Sequence, residues 1–353
     1  MDAKLPLLGA FQRPCWIDLD AYPALRAAWT RSQRTLERMS QSLAESQLHS
    51  AVEVVAVSGS MGRMEQIEFS DTDLIVILNT DRQLDSVQTD LAYQSVWQAL
   101  HPLSLNQPRS YGIYATATSR SQLLDPSSLG QIDEAPAVFG KRIQMLLDSQ
   151  PIFGEAIVNR LQQSILNRHA PDNADVNPSF SWQSLTNELI RYFRSLSVYY
   201  AWNARDEPQK WRHRNVKLRH SRLLMYSGLL LLLGQSQHES SQQEASKWVA
   251  DRLRLTPLER VAWVYSINGD ANFGVVARHY EQFLNQMQDP SFRQNLAREP
   301  VRNDDDVTSE RLTESTSFQD IQRNAHDFQT ELMRFLNDRR QTWPDSFFDC
   351  LFF

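Results

Sequence analysis

Two short segments of this chain contain the residue types that bind phosphate and divalent cations. Gly59 and Ser60 follow a run of apolar, β-branched residues, and Asp71 and Asp73 lie beside a second such run. A glycine has no Cβ atom, so backbone N–H groups next to it can approach an anion closely. Two carboxylates at positions i and i+2 of a strand project to the same side. The two segments together predict a divalent-metal site that faces a triphosphate.

Strands and helices of the first half should position these residues. The apolar, β-branched runs at about 52–57 and 72–78 predict two buried strands that flank the motif. Helical spacing predicts a long helix at about 22–48 and a shorter one at about 85–101. The segment 111–118 predicts a third strand. The motif therefore lies between two strands of a small sheet.

The motif resembles that of a known superfamily. Residues 59–66 read Gly-Ser-Met-Gly-Arg-Met-Glu-Gln, and residues 71–73 read Asp-Thr-Asp. This pattern resembles the nucleotidyltransferase superfamily that includes DNA polymerase β and kanamycin nucleotidyltransferase. It is most similar to the bacterial nucleotidyltransferase-like proteins related to the PII uridylyltransferase. The Leu-Leu-Asp…Gly string at 146–154 supports that narrower resemblance.

The resemblance implies an activity and a role for each motif residue. The expected reaction is the Mg²⁺-dependent transfer of a nucleoside monophosphate from a nucleoside triphosphate to an acceptor hydroxyl. Asp71 and Asp73 would bind two Mg²⁺ ions, while Gly59, Ser60 and Arg63 would hold the β- and γ-phosphates. A protein side chain is one acceptor that the resemblance implies, as in the uridylylation of a PII-type signalling protein.

One part of the superfamily pattern is missing, which leaves other functions open. The superfamily usually has a third carboxylate on a neighbouring strand, and 111–118 contains no acidic residue. Asp148 is interpreted as ending a short strand and orienting a turn. One alternative is a non-catalytic nucleotide sensor, in which Glu65 and Gln66 tie the motif loop to the helical domain. Another is a nucleotidyltransferase-type antitoxin or a cyclic-oligonucleotide synthase, which has the same core.

A basic segment in the second half is a further candidate for phosphate binding. Residues 210–222 include six Lys or Arg, although the chain is acidic overall. Lys217 and Arg219 match in part a segment that the family has at the mouth of its active-site cleft, and we predict that they bind phosphate. The alternative is a solvated helix face, or ion pairs with acids such as Glu188 and Asp206.

The predicted fold class is α+β. A small mixed-sheet nucleotidyltransferase domain with an N-terminal helix should occupy 1–168, and a polar, Pro-bearing linker should occupy 169–180. An all-α helical bundle at 181–353 would be the substrate-binding domain. Helical spacing predicts helices at about 154–167, 181–205, 214–235, 239–254, 257–267, 272–288 and 308–340.

Composition narrows the classes of partner and the compartment. The chain has 353 residues, of which 41% are hydrophobic and 22% charged, and a net charge of −6. Nothing in the overall charge attracts nucleic acid or an anionic membrane, so a nucleic-acid contact would need a local basic patch. Cys15 and Cys350 suggest neither a disulfide framework nor a metal site. Since no signal peptide or membrane-spanning run is visible, we expect a cytoplasmic protein.

Overall fold

The fold consists of one mixed β-sheet and a larger set of helices. In the computed structural model, the described residues are 17–68, 70–79, 85–108, 111–169, 182–239, 241–298 and 316–351. The strands are β1 (Val52–Val57), β2 (Leu74–Leu78), β3 (Thr118–Ser119) and β4 (Gln150–Phe153). The helices of the first half are α1 (Pro23–Glu45), α2 (Gly59–Gly62), α3 (Ser86–Leu100), α4 (Arg120–Leu123), α5 (Pro136–Leu147) and α6 (Glu155–His169). Those of the second half are α7 (Gln183–Asn203), α8 (Pro208–Lys217), α9 (Leu223–Ser236), α10 (Gln242–Arg252), α11 (Pro257–Ile267), α12 (Phe273–Gln288), α13 (Pro290–Arg298), α14 (Thr316–Asp338) and α15 (Asp345–Asp349).

The sheet has the strand order β3-β2-β1-β4. Strand β1 pairs antiparallel with β2 and with β4, whereas β2 and β3 are parallel. Ala56 lies opposite Ile75, and Val57 lies opposite Leu74. All residues of β2 are buried, because both faces of this strand are covered, and its sequence is accordingly a continuous apolar run. The α+β class and the mixed sheet that the sequence predicts are both present.

The two faces of the sheet pack against different helices. Val54 and Ala56 of β1 belong to a hydrophobic cluster that also includes residues of α5, α6 and many helices of the second half. Val55 and Val57 point the other way, into a cluster with α1 and α3. This alternation is the two-residue period of a strand. The sheet is therefore a layer between the α1–α3 side and the rest of the helices.

The side of the sheet that faces the second half is the side on which Asp71 and Asp73 lie. Both residues precede β2, and steps of two residues lead from Asp71 and Asp73 to Ile75 and Ile77, so the four side chains project to the same side. Those two isoleucines belong to the cluster that the sheet shares with helices of the second half. The strand begins at Leu74, so the carboxylates stand just before it, where the sheet meets those helices.

Most predicted helices are found, with small differences at their ends. The predicted helix 257–267 is α11, which begins with a capping box between Thr256 and Glu259. The predicted helix 214–235 is interrupted by a π-helical turn at Leu218–Arg222. His169 ends α6, and the rest of the predicted linker lies outside the described residues. Within the described ranges, every helix is too short or too polar to cross a membrane.

The prediction of a third strand over 111–118 is wrong for most of its length. Turns and bends occupy 111–116, and only Thr118 and Ser119 form β3. Gly112 has a φ of +104°, which a strand does not allow, and the amide of Ala115 donates to the carbonyl of Gly112 at 3.2 Å. This turn directs the Tyr114 hydroxyl towards Ser58, at 3.1 Å from its Oγ.

The prediction that Asp148 ends a short strand is also wrong. Asp148 follows the last residue of α5, and β4 begins two residues later. The side chain of Arg260, which is fully buried on α11, donates to the carbonyls of Leu146 and Leu147 at 2.9 and 2.7 Å. These bonds satisfy carbonyls at the end of α5. They also fix the position of Asp148 relative to the second half.

Candidate functional site

The turn between β1 and α2 fits closely against Asp73. The amide of Ser58 donates to the carbonyl of Asp73 at 2.9 Å, which continues the antiparallel pairing of β1 and β2 past the strand ends. Gly59 has a φ of +67°, and a Cβ atom at this position would lie 2.2 Å from Oδ2 of Asp73. Only glycine combines this backbone conformation with so close an approach. The Gly-Ser turn and the carboxylate are therefore adjacent.

A pocket of about 290 Å³ opens at this point, between the end of the sheet and helices of the second half. Ser60, Arg63, Asp71, Asp73 and Lys217 all line it. Residues from α12 and α13 form much of the opposite wall, among them Phe283, Leu284, Met287 and Arg293. The structure thus brings together, around a single cavity, the motif of the first half and part of the predicted basic segment.

The basic segment presents one side to the pocket. His213, Lys217 and Ser221 line the cavity at intervals of four residues, as expected for one face of a helix. Arg222 also lines it, whereas Arg219 is not among the lining residues. Of the two cations of this segment that the sequence predicts for phosphate binding, only Lys217 lines the pocket.

Arg222 is the cation that sequence reasoning missed. An ideal α-helix does not place residues i and i+5 on one face, so the pattern gave no reason to pair Arg222 with Lys217. The π-helical turn at Leu218–Arg222 changes this spacing, since its hydrogen bonds join residues five apart, as between the Leu223 amide and the Leu218 carbonyl. Single π-turns of this kind occur often at functional sites. The only sequence signal for Arg222 was the density of basic residues around it.

The two carboxylates are available for a cation. Among the described residues, neither Asp71 nor Asp73 has a hydrogen bond or a salt bridge to its carboxylate. Burial raises the pKa of Asp73 to about 6; Arg222 opposes this shift, and the nearby Asp148 adds to it. A partly buried carboxylate with a raised pKa and no direct partner is a group whose ionised form a bound cation would stabilise.

Two cations of the basic segment line the pocket without an acidic partner among the described residues. Neither Lys217 nor Arg222 forms a salt bridge with any described residue. The Lys217 side chain is exposed to the open pocket, but the neighbouring protein atoms remove part of its hydration. This desolvation, together with the positive charges of Arg222 and Arg63, lowers the pKa of Lys217 to about 8. Two cations and two carboxylates, none with a direct charged partner among the described residues, therefore line one pocket, and such a set has the chemistry to hold a metal–phosphate complex.

Arg63 is committed to acidic side chains of the protein. It is 6% exposed, its Nη1 donates to Oδ2 of Asp148 at 2.5 Å, and its Nε donates to Glu65 at 3.1 Å. The Ser58 hydroxyl donates to the other oxygen of Asp148 at 2.6 Å. These hydrogen bonds hold the loop after β1 in place beside the pocket. Arg63 lines the cavity, but its Nε and Nη1 are already occupied.

Glu65 links the motif loop to the second half. Its carboxylate accepts a hydrogen bond from the hydroxyl of Tyr280 on α12, and that hydroxyl lies 3.4 Å from Oγ of Ser221. On the other side of the loop, the amide of Gln66 donates to Oγ of Ser32 on α1 at 3.1 Å. Glu65 and Gln66 therefore connect the loop to α12 and to α1.

The donor set fits magnesium better than a metal that needs an all-protein cage. Among the described residues, no group of three or more His, Cys, Asp and Glu side chains could hold a metal ion. Mg²⁺ is usually held by one or two carboxylates, with phosphate oxygens and water completing the octahedron. Asp71 and Asp73 would provide two such oxygen ligands in this pocket.

No protein-family model matches this chain, and no curated protein matches it in sequence. The functional assignment therefore depends on the motif and on the geometry of the pocket.

Proposed function

We propose that this protein is a Mg²⁺-dependent nucleotidyltransferase that transfers a nucleoside monophosphate from a nucleoside triphosphate to an acceptor hydroxyl. One observation carries the proposal. Asp71 and Asp73, just before β2, line the same pocket as Lys217 and Arg222 of the second half, two cations without an acidic partner among the described residues. An acidic wall that binds the metal and a basic wall that binds phosphate are the two components that such a reaction requires.

The chain's residues would then have distinct tasks. Asp71 and Asp73 would hold the metal, with two ions proposed, and Lys217 and Arg222 would bind phosphate oxygens. Ser60, in the turn beside Asp73, would orient the triphosphate through its hydroxyl and amide. Bound Mg²⁺ would neutralise the negative charge that develops on the transferred phosphoryl group. Arg63 would act indirectly, by holding the loop through Asp148 and Glu65.

The size and lining of the pocket support a nucleotide. Its volume of about 290 Å³ is near the lower end of the range of roughly 300–1,000 Å³ that is typical of ligand pockets. Beside the charged residues, Ile67, Phe283 and Leu284 give it an apolar side. A phosphate chain and a flat, largely apolar base would meet suitable surfaces in one cavity. The acceptor, which includes a protein side chain among the candidates, would enter from solvent.

A non-catalytic nucleotide sensor is the second candidate, and a specific observation favours it. β3 contributes Thr118 and Ser119 and therefore no carboxylate. Glu65 lines the pocket as well, but its oxygens accept bonds from Arg63 and Tyr280. A third acid free to assist proton removal is thus missing among the described pocket residues, and such a site could bind nucleotide without turning it over.

One experiment separates these functions. The purified protein is incubated with Mg²⁺ and each of the four labelled nucleoside triphosphates, and pyrophosphate and labelled products are measured. A transferase releases pyrophosphate and labels an acceptor, or itself, only when Mg²⁺ is present. A sensor shows a ligand-induced rise in melting temperature without pyrophosphate, and an oligonucleotide synthase forms labelled oligonucleotides. Absence of both binding and turnover with all four nucleotides would refute the assignment to nucleotides.

A further inference from the structure

The outward face of α1 is strongly basic. Arg26, Arg31, Arg34 and Arg38 are all exposed, and they line one shallow depression of about 550 Å³ on the surface of this helix. We call these four residues the arginine stripe. The remaining lining residues are small or hydroxyl-bearing apart from one proline: Pro23, Ala27, Thr30 and Thr35. The stripe is separate from the pocket described above, and the proposed function does not use it.

The stripe has the dimensions of an extended binding surface. A helix rises 1.5 Å per residue, so Arg26 and Arg38 are about 18 Å apart along the axis. The four arginines follow one another at intervals of five, three and four residues, which correspond to about 7.5, 4.5 and 6 Å along the axis. They therefore form an extended strip of positive charge and do not form a closed site for one small anion.

Most arginine side chains of the stripe are available to bind a ligand. Arg34 and Arg38 have no hydrogen bond or salt bridge to any described residue. Arg26 forms an ion pair with Asp20 at 2.8 Å, but both side chains are more than half exposed, and such pairs contribute little. Arg31 donates through Nη1 to the carbonyl of Gln66 at 3.0 Å. On α1 itself there are only two acidic residues against the four arginines.

The position of the stripe relates it to the pocket. Gln66, which Arg31 contacts, lies between Glu65 and Ile67, and both of those neighbours line the pocket. A ligand on the stripe would therefore lie beside the loop that forms one edge of the pocket.

The chemistry of the face favours one kind of partner. The exposed large hydrophobic residues of the described chain lie on other elements, and none of them is on α1. Interfaces with proteins usually have an apolar centre, whereas nucleic-acid interfaces are polar and strongly positive. Arginine forks match phosphate oxygens well. The arginines of one helix face can follow one phosphate backbone, but a single helix offers no second basic surface for the opposite strand of a duplex.

We propose that the arginine stripe of α1 binds the phosphate backbone of a single-stranded nucleic acid. The net charge of −6 argued against nucleic acid as a partner, and this face is the local basic patch that such binding requires. No aromatic side chain lines the stripe, so there is no platform for base stacking. Binding should consequently be independent of base sequence and strongly dependent on salt.

The test is a salt titration with a defined probe. A fluorescein-labelled oligouridylate longer than about 16 nucleotides is titrated with the full chain by fluorescence anisotropy, at salt concentrations from about 50 to 200 mM. Neutralisation of four phosphates on a single strand predicts a logarithmic slope of about −2.8, which is a loss of affinity of about 50-fold over this range. Oligodeoxythymidylate and oligoadenylate should give similar values.

A double variant tests whether the arginine stripe is the surface that binds the oligonucleotide. R34Q/R38Q removes two exposed charges, and glutamine is nearly as good a helix former as arginine. The slope should fall to about −1.4, so that the same salt range costs only about 7-fold in affinity. The matched control is R160Q/R323Q, which removes two exposed arginines of α6 and α14 and should leave the slope unchanged. Equal slopes for the two double variants would overturn the proposal.

Two further measurements test whether the stripe acts without the nucleotide site and whether it prefers nucleic acid. D71N/D73N should bind the oligouridylate as tightly as the native chain, because the stripe does not depend on the nucleotide site. If this variant loses oligouridylate binding, the oligonucleotide occupies the pocket and the stripe is not its binding face.

A labelled poly-glutamate of similar length should bind much more weakly than the oligonucleotide. If poly-glutamate binds as tightly as the oligonucleotide, and R34Q/R38Q weakens both by the same factor, the face is a site for acidic polypeptides and the proposal is wrong.

Discussion

A Cβ atom on Gly59 would lie 2.2 Å from Oδ2 of Asp73. The turn after β1 and the carboxylate before β2 are thus packed so closely that neither can move without the other. This contact explains why the Gly-Ser turn lies next to a pair of aspartates that follow it 11 to 14 residues later in the sequence. Gly59 is therefore a position of the motif that should not tolerate a side chain.

The first prediction concerns that contact. G59A should lower stability by about 1–2 kcal/mol, because an L-residue with a left-handed φ is strained, and it should also displace the Asp73 carboxylate. G269A is the matched control, since Gly269 has a φ of +66° and open space around its Cβ position. Denaturant titration should show the strain in both variants. Only G59A should lose the Mg²⁺–nucleotide-dependent rise in melting temperature, and a normal rise in G59A would contradict the packing argument.

The second prediction tests the metal ligands. Replacement of both Asp71 and Asp73 by Asn should abolish the rise in melting temperature that Mg²⁺ and nucleoside triphosphate cause together, since a ligand stabilises only the state that binds it. The fold should persist, because neither carboxylate has a hydrogen-bond partner among the described residues. D251N, at an exposed aspartate that pairs with Lys247 on α10, is the control. A full ligand-induced rise in the double variant would exclude these residues as metal ligands.

The third prediction uses two arginines of the same short segment. R222Q should weaken triphosphate binding at least tenfold, since a charge-assisted hydrogen bond is worth about 1.5–3 kcal/mol. R219Q should have little effect, because Arg219 does not line the pocket. Titration of mono-, di- and triphosphate should show that the loss in R222Q grows with the number of phosphates. If R219Q loses as much triphosphate affinity as R222Q, the π-turn does not decide which of the two arginines binds phosphate.

The fourth prediction concerns the link between the two halves. Y280F removes the hydroxyl that donates to Glu65, and a buried carboxylate that loses a donor costs about 1–3 kcal/mol. Urea unfolding should show this loss, whereas Y199F, at a tyrosine that is 47% exposed, should be neutral. Because Tyr280 ties α12 to the motif loop, Y280F should weaken nucleotide binding as well. Unchanged stability in Y280F would mean that this bond does not hold the loop.

The fifth prediction is a pH dependence of stability. His220 is fully buried between the rings of Phe283 and Phe328, and this burial lowers its pKa to about 4. The unfolded state, with a histidine pKa of about 6.5, binds the proton more readily, so the stabilising contribution is present above about 6.5 and is lost as pH falls towards 4. At a pH of about 5 the loss should be about 2 kcal/mol.

The control for this effect removes the titrating group. H220Q should be less stable at neutral pH, because it loses the stacked ring, but its stability should fall less steeply between pH values of about 6.5 and 4. Urea unfolding across this range measures both quantities. An unchanged slope in H220Q would show that other groups, such as His169, cause the acid sensitivity.

Local sequence patterns determined the scaffold of the site. The β-branched run at 52–57 predicted β1 with its observed ends, because such residues pack well on a pleated, buried surface. The capped, apolar segment at 257–267 likewise predicted α11. The spacing of Asp71 and Asp73 placed them on one side, and both line the pocket. These features depend on a few neighbouring residues, so the sequence alone contains them.

The partners of the site residues were decided only by the tertiary structure. Arg63 and its carboxylate partner Asp148 are 85 residues apart in sequence, and Tyr280 and Glu65 are 215 apart, so no local period connects either pair. The segment 111–118 has the composition of a strand, but the turn at Gly112 and the contact of the half-buried Tyr114 with Ser58 take it away from the sheet. Arg222 reaches the pocket, and Arg219 does not, because packing permits one π-turn in a helix that the pattern reads as continuous. Residue types and short spacings are read locally, whereas the position of a charge in a cavity depends on how distant helices pack around it.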